Sequence, residues 1–369
     1  MNIINFKRNE IDLPLHTGHA PQWLIRLMLD LSKEITQIIV EEYGTNEFMK
    51  RLSDPLWFQS LGCVLGYDWH SSGVTTVVTG VLKTAINNSE FGIIVAGGKG
   101  NTSKNTPNEL EILLKKINLE DKAEYFKRIS KLVAKIDNNL VQDGYDLYHH
   151  AIFVDEKKNW AIIQQGMNVE IKYARRYHWF SENITEFLSD PHAGIIGNVK
   201  HENVLNMTSK YSEDNRKVTL ELIKSGVDKI KKDYKQLIVG PLDSWLGGKN
   251  LNLINRYRMP KYVNWDAIRK LHEHNPSDYI QLVEFEGIGK NTIRALALIS
   301  EIIYGSPASW RDPIKYTFAH GGKDGVPYPV NKKVYENSIS ILRDAIKRAN
   351  IRNELKVLAM RRLDKIEYK

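Results

Sequence analysis

One cysteine in 369 residues, Cys63, excludes an intramolecular disulfide framework and a zinc site built on several thiolates. The chain also lacks an uninterrupted apolar run of about 18 residues, the length a membrane-spanning helix needs. Its opening, MNIINFKRNEIDLPL, puts charge ahead of any apolar stretch and offers no small-residue cleavage site, so it does not read as a secretory signal. Internal repeats and low-complexity tracts are missing as well. These absences point to an ordinary folded protein, expected in the cytoplasm. A composition of 42% hydrophobic and 26% charged residues agrees with real apolar cores, and a chain of this length leads us to expect two or three domains.

What is present is unevenly spread. The net charge of +8 hides an asymmetry: residues 1–210 carry 23 Lys and Arg against 25 Asp and Glu, whereas residues 211–369 carry 29 against 19. A basic C-terminal half indicates a polyanionic partner or a lysine-rich solubilising surface.

Periodicity divides the chain further. Leu24, Leu27, Leu31, Ile35 and Ile39 recur at helical spacing between Trp23 and Tyr43. Helices are expected over Pro55–Leu65 and from Ser72 onward, and FGIIVAGG (Phe91–Gly98) reads as a buried strand. Thr106-Pro107-Asn108-Glu109 reads as a capping box opening a helix over 106–117, followed by another over 121–137. Alternation then takes over: residues 143–179 read as strands with a hairpin at Asp155–Asn159. Helix returns as a long basic segment over 214–238, and again over 333–349 and 351–365. The expected fold class is α+β, with a mixed domain over 1–210, a basic helical linker over 211–260 and an all-helical domain over 261–369.

The stretch EFEGIGKNTIRAL (Glu284–Leu296) places two glycines where two short helices must turn. Gly287 and Gly289 permit the backbone such a turn needs. They also leave the N–H groups of Gly287, Gly289 and Lys290 at a helix N-terminus, where unpaired donors and the helix dipole favour a phosphate. Phe285, Gly287-Ile288-Gly289 and Ala295 make this segment resemble the helix-hairpin-helix family. That resemblance implies non-specific binding of DNA backbone through Gly287, Gly289, Lys290, Asn291 and Thr292.

A wider resemblance covers nearly the whole chain. HTGHAP, GYDWHSSGVTT, AGGKG, ARRYHW and IYGSPASWRDPIKYTFAHGGKDGVPYPV resemble an archaeal and thermophile family of unknown function numbered seven hundred and sixty-three. HTGHAP departs from its pattern, with Thr17 and His19 standing where Gly and Arg are expected. The resemblance implies no settled chemistry. A narrower one is to helix-hairpin-helix DNA glycosylases: Gly305-Ser306-Pro307 precedes Asp312 at a similar distance, which would make Asp312 the activator of the nucleophile. Asn291 stands about where bifunctional members carry a lysine, and Pro313 follows Asp312 in place of the usual Thr-His-apolar run.

Candidate chemistry otherwise falls in the first half, which holds eight of eleven histidines. Asp68 and His70 flank Trp69, a spacing that suits a divalent metal or an acid–base pair on an extended segment, or a plain helix cap. Asp146, His149, His150, Asp155, Gln164 and Gln165 fall on two hairpin-linked strands. Acid, His and amide groups on neighbouring strands recur where metal ions activate water against phosphodiesters, although Asp155 also suits a simple turn. Arg175 and Arg176, within ARRYHW, have the chemistry for phosphate and bases, or for an ordinary strand. Lys99 and Lys323 sit in glycine loops, AGGKG and GGKDG, that offer donors to phosphate without P-loop spacing.

The leading expectation is a DNA-binding, Mg²⁺- or Mn²⁺-dependent nuclease of repair or processing, acting on single strands or particular structures. Asp68, His70, His150 and Asp155 would be catalytic, with Asp68, His70 and Asp155 on the metal. The alternatives are a glycosylase using Asp312 and a non-catalytic DNA-binding or recruitment module.

Overall fold

The computed structural model describes residues 22–67, 72–239, 256–314 and 332–367. The fold is α+β, an antiparallel sheet with helices on both faces. Helix α1 (Gln22–Leu52) outruns its expected end at Tyr43. It passes a kink at Gly44, whose φ of 84° only glycine adopts readily. Helix α2 (Pro55–Leu65) starts where Asp54 accepts hydrogen bonds from the Leu56 and Trp57 amides, and every residue in it is buried. Helix α3 (Gly73–Asn87) leads to strand β1 (Ile93–Lys99).

A short turn α4 (Asn101–Lys104) and helix α5 (Thr106–Leu113) follow. The expected capping box is not formed. Thr106 Oγ1 donates to the Ser103 carbonyl, and Glu109 is drawn away to Lys83 and to the Gly97 amide. Helix α6 (Ala123–Lys135) runs into a π-helical turn over Ile136–Leu140, a feature frequent at functional sites. The remaining strands are β2 (Val141–Gln142), β3 (Asp146–Asp155), β4 (Trp160–Asn168), β5 (Tyr173–Phe180), β6 (Gly194–Ile196) and β7 (Leu205–Asn206). The five-stranded sheet runs β1-β3-β4-β5-β6, all antiparallel, and β2 pairs with β7 apart from it.

The segment expected as one helix over 214–238 is two, α7 (Glu213–Ser225) and α8 (Val227–Val239). They break at Gly226, whose φ of 96° and ψ of 155° are not helical. Helices α9 (Trp265–His274), α10 (Tyr279–Glu284) and α11 (Lys290–Ile302) follow, then α12 (Lys332–Arg348) and α13 (Asn353–Glu367).

Strand alternation sends successive side chains to opposite faces of the sheet, and each face has its own core. Ile94, Ala96, Ile152, Val154, Ile162 and Trp179 pack toward α5 and α6 in an apolar cluster that continues without interruption into α7–α11. Ile93, Val95, Ala151, Phe153, Ile163 and Phe180 pack toward α1–α3, and α12 and α13 complete that second cluster. The first of these apolar clusters runs across positions 210 and 260, the boundaries expected from the sequence. The helix pair around Gly287 is continuous with the sheet's core, and the last two helices return to the first two.

Candidate functional site

Three pairs of adjacent residues, His149-His150 on β3, Gln164-Gln165 on β4 and Arg175-Arg176 on β5, lie at nearly the same level of the sheet. His149 is opposite Gln165, which is opposite Arg176, and His150 is opposite Gln164. The pleat therefore sorts them into two polar rows, one on each face.

The first row faces α1–α3. Arg176 is fully buried and binds only neutral acceptors: Nε donates to His178 Nε2 at 2.8 Å, Nη1 to Gln59 Oε1 at 3.0 Å and Nη2 to the Pro55 carbonyl at 3.2 Å. Its guanidinium lies 4.5 Å from the Phe58 ring centre. Burial lowers its pKa to about 9. His149 Nε2 meets Thr79 Oγ1 at 3.0 Å, whereas its buried Nδ1 has no hydrogen-bond partner. Burial, helped by His150 and Lys99, holds the His149 pKa down to about 3.

The second row faces α6. Gln164 is fixed by its amide nitrogen, which donates to Asp137 Oδ2 at 2.5 Å and to the Val133 carbonyl at 3.4 Å. Its oxygen is left to accept from His150 Nδ1 at 2.8 Å. That protonates Nδ1 and turns the bare Nε2 lone pair toward Ser130 Oγ, 2.7 Å away on α6. Burial lowers the His150 pKa, which keeps the ring neutral. Asp137, on the π turn, also accepts from Trp179 Nε1 at 2.9 Å and lies 2.5 Å from His192 Nε2.

Ser130, His150 and Gln164 form part of the lining of a cavity of about 790 Å³. Among the described residues its lining carries Lys104, Lys127, Arg128, Lys131 and Lys135 against Glu124 and Glu284. Arg128 is held by a bidentate pair with Glu284, and Lys127 by Glu111 and Glu124. Lys135 caps α10 by donating to the carbonyls of Val283, Glu284 and Phe285. Lys104 and Lys131 make no ion pair among the described residues, so the cavity keeps a positive field.

A second cavity, of about 470 Å³, adjoins the first, and the two share Asn138 and Asn139 of the π turn. Gly287, Gly289, Lys290, Asn291 and Thr292 line it. The two glycines are not equivalent. Gly287 has φ of 84°, and a Cβ there would fall 2.9 Å from both Ala267 Cβ and Asn264 Nδ2. Gly289 is extended, with φ of −121° and ψ of −177°, and a Cβ there would meet nothing within 4 Å. The fold requires glycine only at Gly287. At Gly289 the missing side chain leaves the start of α11 open, with no side-chain cap on its first amides. Lys290 pairs with Asp146 at 2.6 Å on the surface, Asn291 is exposed, and Thr292 is buried with its hydroxyl facing the Asn264 amide at 3.4 Å.

Several expected site residues are placed otherwise. Asp155 is fully buried, and both its oxygens are occupied. Oδ1 accepts from the Lys157 and Asn159 amides, and Oδ2 from Thr45 Oγ1 and Asn159 Nδ2. With about four lone-pair directions filled, Asp155 builds the hairpin turn and is no metal ligand or acid–base group here. Arg175 and Arg176 are fully buried, so neither offers its guanidinium to a nucleic acid at the surface. Arg175 instead binds Asp143 at 2.8 Å and Asp312 through two bonds of 2.9 Å.

Asp312 accepts further from the His201 and Ile314 amides, which likewise fills its oxygens, so it stands as a structural carboxylate rather than a glycosylase activator. The AGGKG loop spends its Gly97 amide on Glu109, although Lys99 remains exposed, 5.9 Å from the centre of the Tyr148 ring at the first cavity. Asp68, His70 and Lys323 lie outside the described residues. No group of three or more His, Cys, Asp or Glu side chains suited to a metal occurs among the described residues. Nor does any described helix have the length and apolarity to cross a membrane. Sequence reading passed over Ser130 and Asp137. Both sit on the expected 121–137 helix, where only knowledge of the partner strand marks them.

Fold and site together define an α+β protein with a basic cavity floored by a serine–histidine pair, beside a glycine turn at a helix start. The chain belongs to the family described as "Protein of unknown function (DUF763)", whose model matches residues 9–330. A search of curated proteins finds no match, and a search of solved structures finds none.

Proposed function

We propose that the protein binds DNA by its phosphate backbone, along a path from the glycine turn at Gly287–Gly289 to the lysine-rimmed cavity, and cleaves a phosphodiester there. The observation that carries this reading is the shared Asn138–Asn139 wall, which joins an open helix start and a basic, histidine-bearing cavity into one groove. The resemblance of the turn to helix-hairpin-helix modules supports it, as does the positive charge of residues 211–369. The expected setting is DNA repair or processing, with single strands or strand junctions as substrates.

The experiment pairs binding with cleavage. Fluorescence anisotropy against salt reads the backbone interactions, since affinity falls with log salt in proportion to the phosphates neutralised. Gly289→Asp should weaken binding at least about tenfold by setting a carboxylate against a phosphate, at unchanged thermal stability. Lys104→Ala with Lys131→Ala should lower the salt slope by about one for each phosphate no longer neutralised. End-labelled single-stranded, duplex and forked DNA, incubated with EDTA, Mg²⁺ or Mn²⁺ and run on denaturing gels, reads the product. Binding with no product under any metal would leave a recruitment module; salt-independent binding, or none, would remove the groove as a DNA site.

A further inference from the structure

The groove holds a group that fits its own nucleophilic chemistry. Buried serines within helices commonly return their hydroxyl to the carbonyl one turn back. Ser130 instead meets His150 Nε2 at 2.7 Å, and both residues lie at the floor of the basic cavity. The imidazole is oriented from behind: Asp137 and Val133 hold the Gln164 amide nitrogen, so the Gln164 oxygen fixes the proton on Nδ1. Serine, histidine, amide and carboxylate thus form one hydrogen-bonded line running from the cavity into the core. A hydroxyl with a neutral imidazole as base, oriented by a third group, is the arrangement that activates serine.

We propose that Ser130 is the nucleophile of this site and His150 its general base, with Gln164 and Asp137 as positioning residues and a phosphodiester as substrate. The proposal rests on the backbone-binding reading above. Ser130 Oγ attacks phosphorus as its proton passes to His150 Nε2. The Oγ–P bond forms, the P–O bond to the departing sugar breaks, and that sugar oxygen takes the proton from His150. Water then attacks the phosphoseryl ester, giving a proton to His150. The new P–O bond forms, the Oγ–P bond breaks and Ser130 regains its proton. Lys104 and Lys131 supply positive charge around the phosphoryl oxygens.

The test uses the full chain with end-labelled single-stranded, duplex and forked DNA, with EDTA, Mg²⁺ or Mn²⁺. Reactions are quenched in denaturant and digested for mass spectrometry. The expected result is a DNA–protein adduct on Ser130, and cleavage by Ser130→Ala reduced at least about 100-fold while anisotropy shows binding within about twofold of wild type. His150→Gln should lose both adduct and cleavage. Gln164→Glu, which sets a carboxylate against the ring, should move the acid limb of the rate profile to higher pH, a shift a merely structural glutamine would not cause. Ser130→Cys guards against misfolding: retained binding with a trapped thiophosphate adduct supports the assignment. Wild-type cleavage that Ser130→Ala retains would overturn this inference and leave the DNA-cleaving reading intact. Absence of wild-type cleavage under every metal condition would overturn both.

Discussion

The two faces of the sheet carry the same kinds of side chain and use them differently. On the α1–α3 face, His149, Gln165 and Arg176 form a row whose described partners are hydroxyls, amides, carbonyls and a second histidine, with no carboxylate against the arginine. On the α6 face, His150 and Gln164 end on Asp137, and Arg175 is clasped between Asp143 and Asp312. The first row is buried against α1–α3, with His149 alone of its members also bordering the basic cavity. The second opens on a basic cavity. Identical residue types one position apart thus acquire different roles because the pleat assigns them different neighbours, and among the described residues carboxylates meet only the row on the α6 side.

That contrast can be broken most forcefully at the arginines. Arg175→Met strands two buried carboxylates and should cost about 3–5 kcal/mol in denaturant unfolding, the usual penalty for halving a buried ion pair. Arg176→Met removes a cation bound to neutral acceptors only and should cost about 1–2 kcal/mol. Equal losses would mean that the carboxylates do not distinguish the faces.

Acid tests the histidines. In the unfolded chain the His149 imidazole protonates near pH 6.5, but in the fold not until about 3. The unfolded state therefore binds more protons across that window. Stability from this group is complete above pH 6.5 and drains away as pH falls toward 3, by about 1.4 kcal/mol per pH unit at most. Thermal melts of His149→Gln should show a shallower acid slope than wild type. An unchanged slope would place the acid sensitivity elsewhere, for instance at His178, His150 or the half-buried His201, whose pKa values burial also lowers.

A finer comparison sets Thr79→Val beside Ser130→Ala. Each removes a hydroxyl from one of the two neighbouring histidines, and each should cost about 1 kcal/mol in unfolding. Only the second should affect DNA cleavage. The smallest effect is expected at Lys290→Ala, where an exposed pair with Asp146 contributes at most about 0.5 kcal/mol.

Much of this architecture was legible in the order of residues. Helical spacing from Leu24 to Ile39, the alternation after Asp146 and the turn at Asp155–Asn159 follow local rules, and the structure keeps them. The glycine turn was legible too, since Gly287 answers to its own φ and to Ala267 beside it. Pairings across long distances were not. Nothing in ARRYHW reveals that Asp312, 137 positions beyond Arg175, takes its guanidinium, so a buried clamp passed for a phosphate binder. His150 stood out because it lies on a strand. Ser130 did not, because one helical serine resembles any other until register brings His150 beneath it. The long helix over 214–238 failed at Gly226, where one residue's backbone freedom outweighed continuous amphipathic spacing.

The return of α12 and α13 to α1 and α2 bears on how the protein is made. During synthesis α1 and α2 emerge well before α12 and α13, yet part of their apolar surface, including Leu61 and Ile35, belongs to a cluster completed by Leu342, Ile346 and Leu363. Until the ribosome has translated α12 and α13, the nascent chain presents an unclosed hydrophobic seam, the kind of surface on which chaperones act and aggregation begins. The order of translation thus makes α12 and α13 a latch added after the rest of this face, whereas the cluster on the other face is built without them.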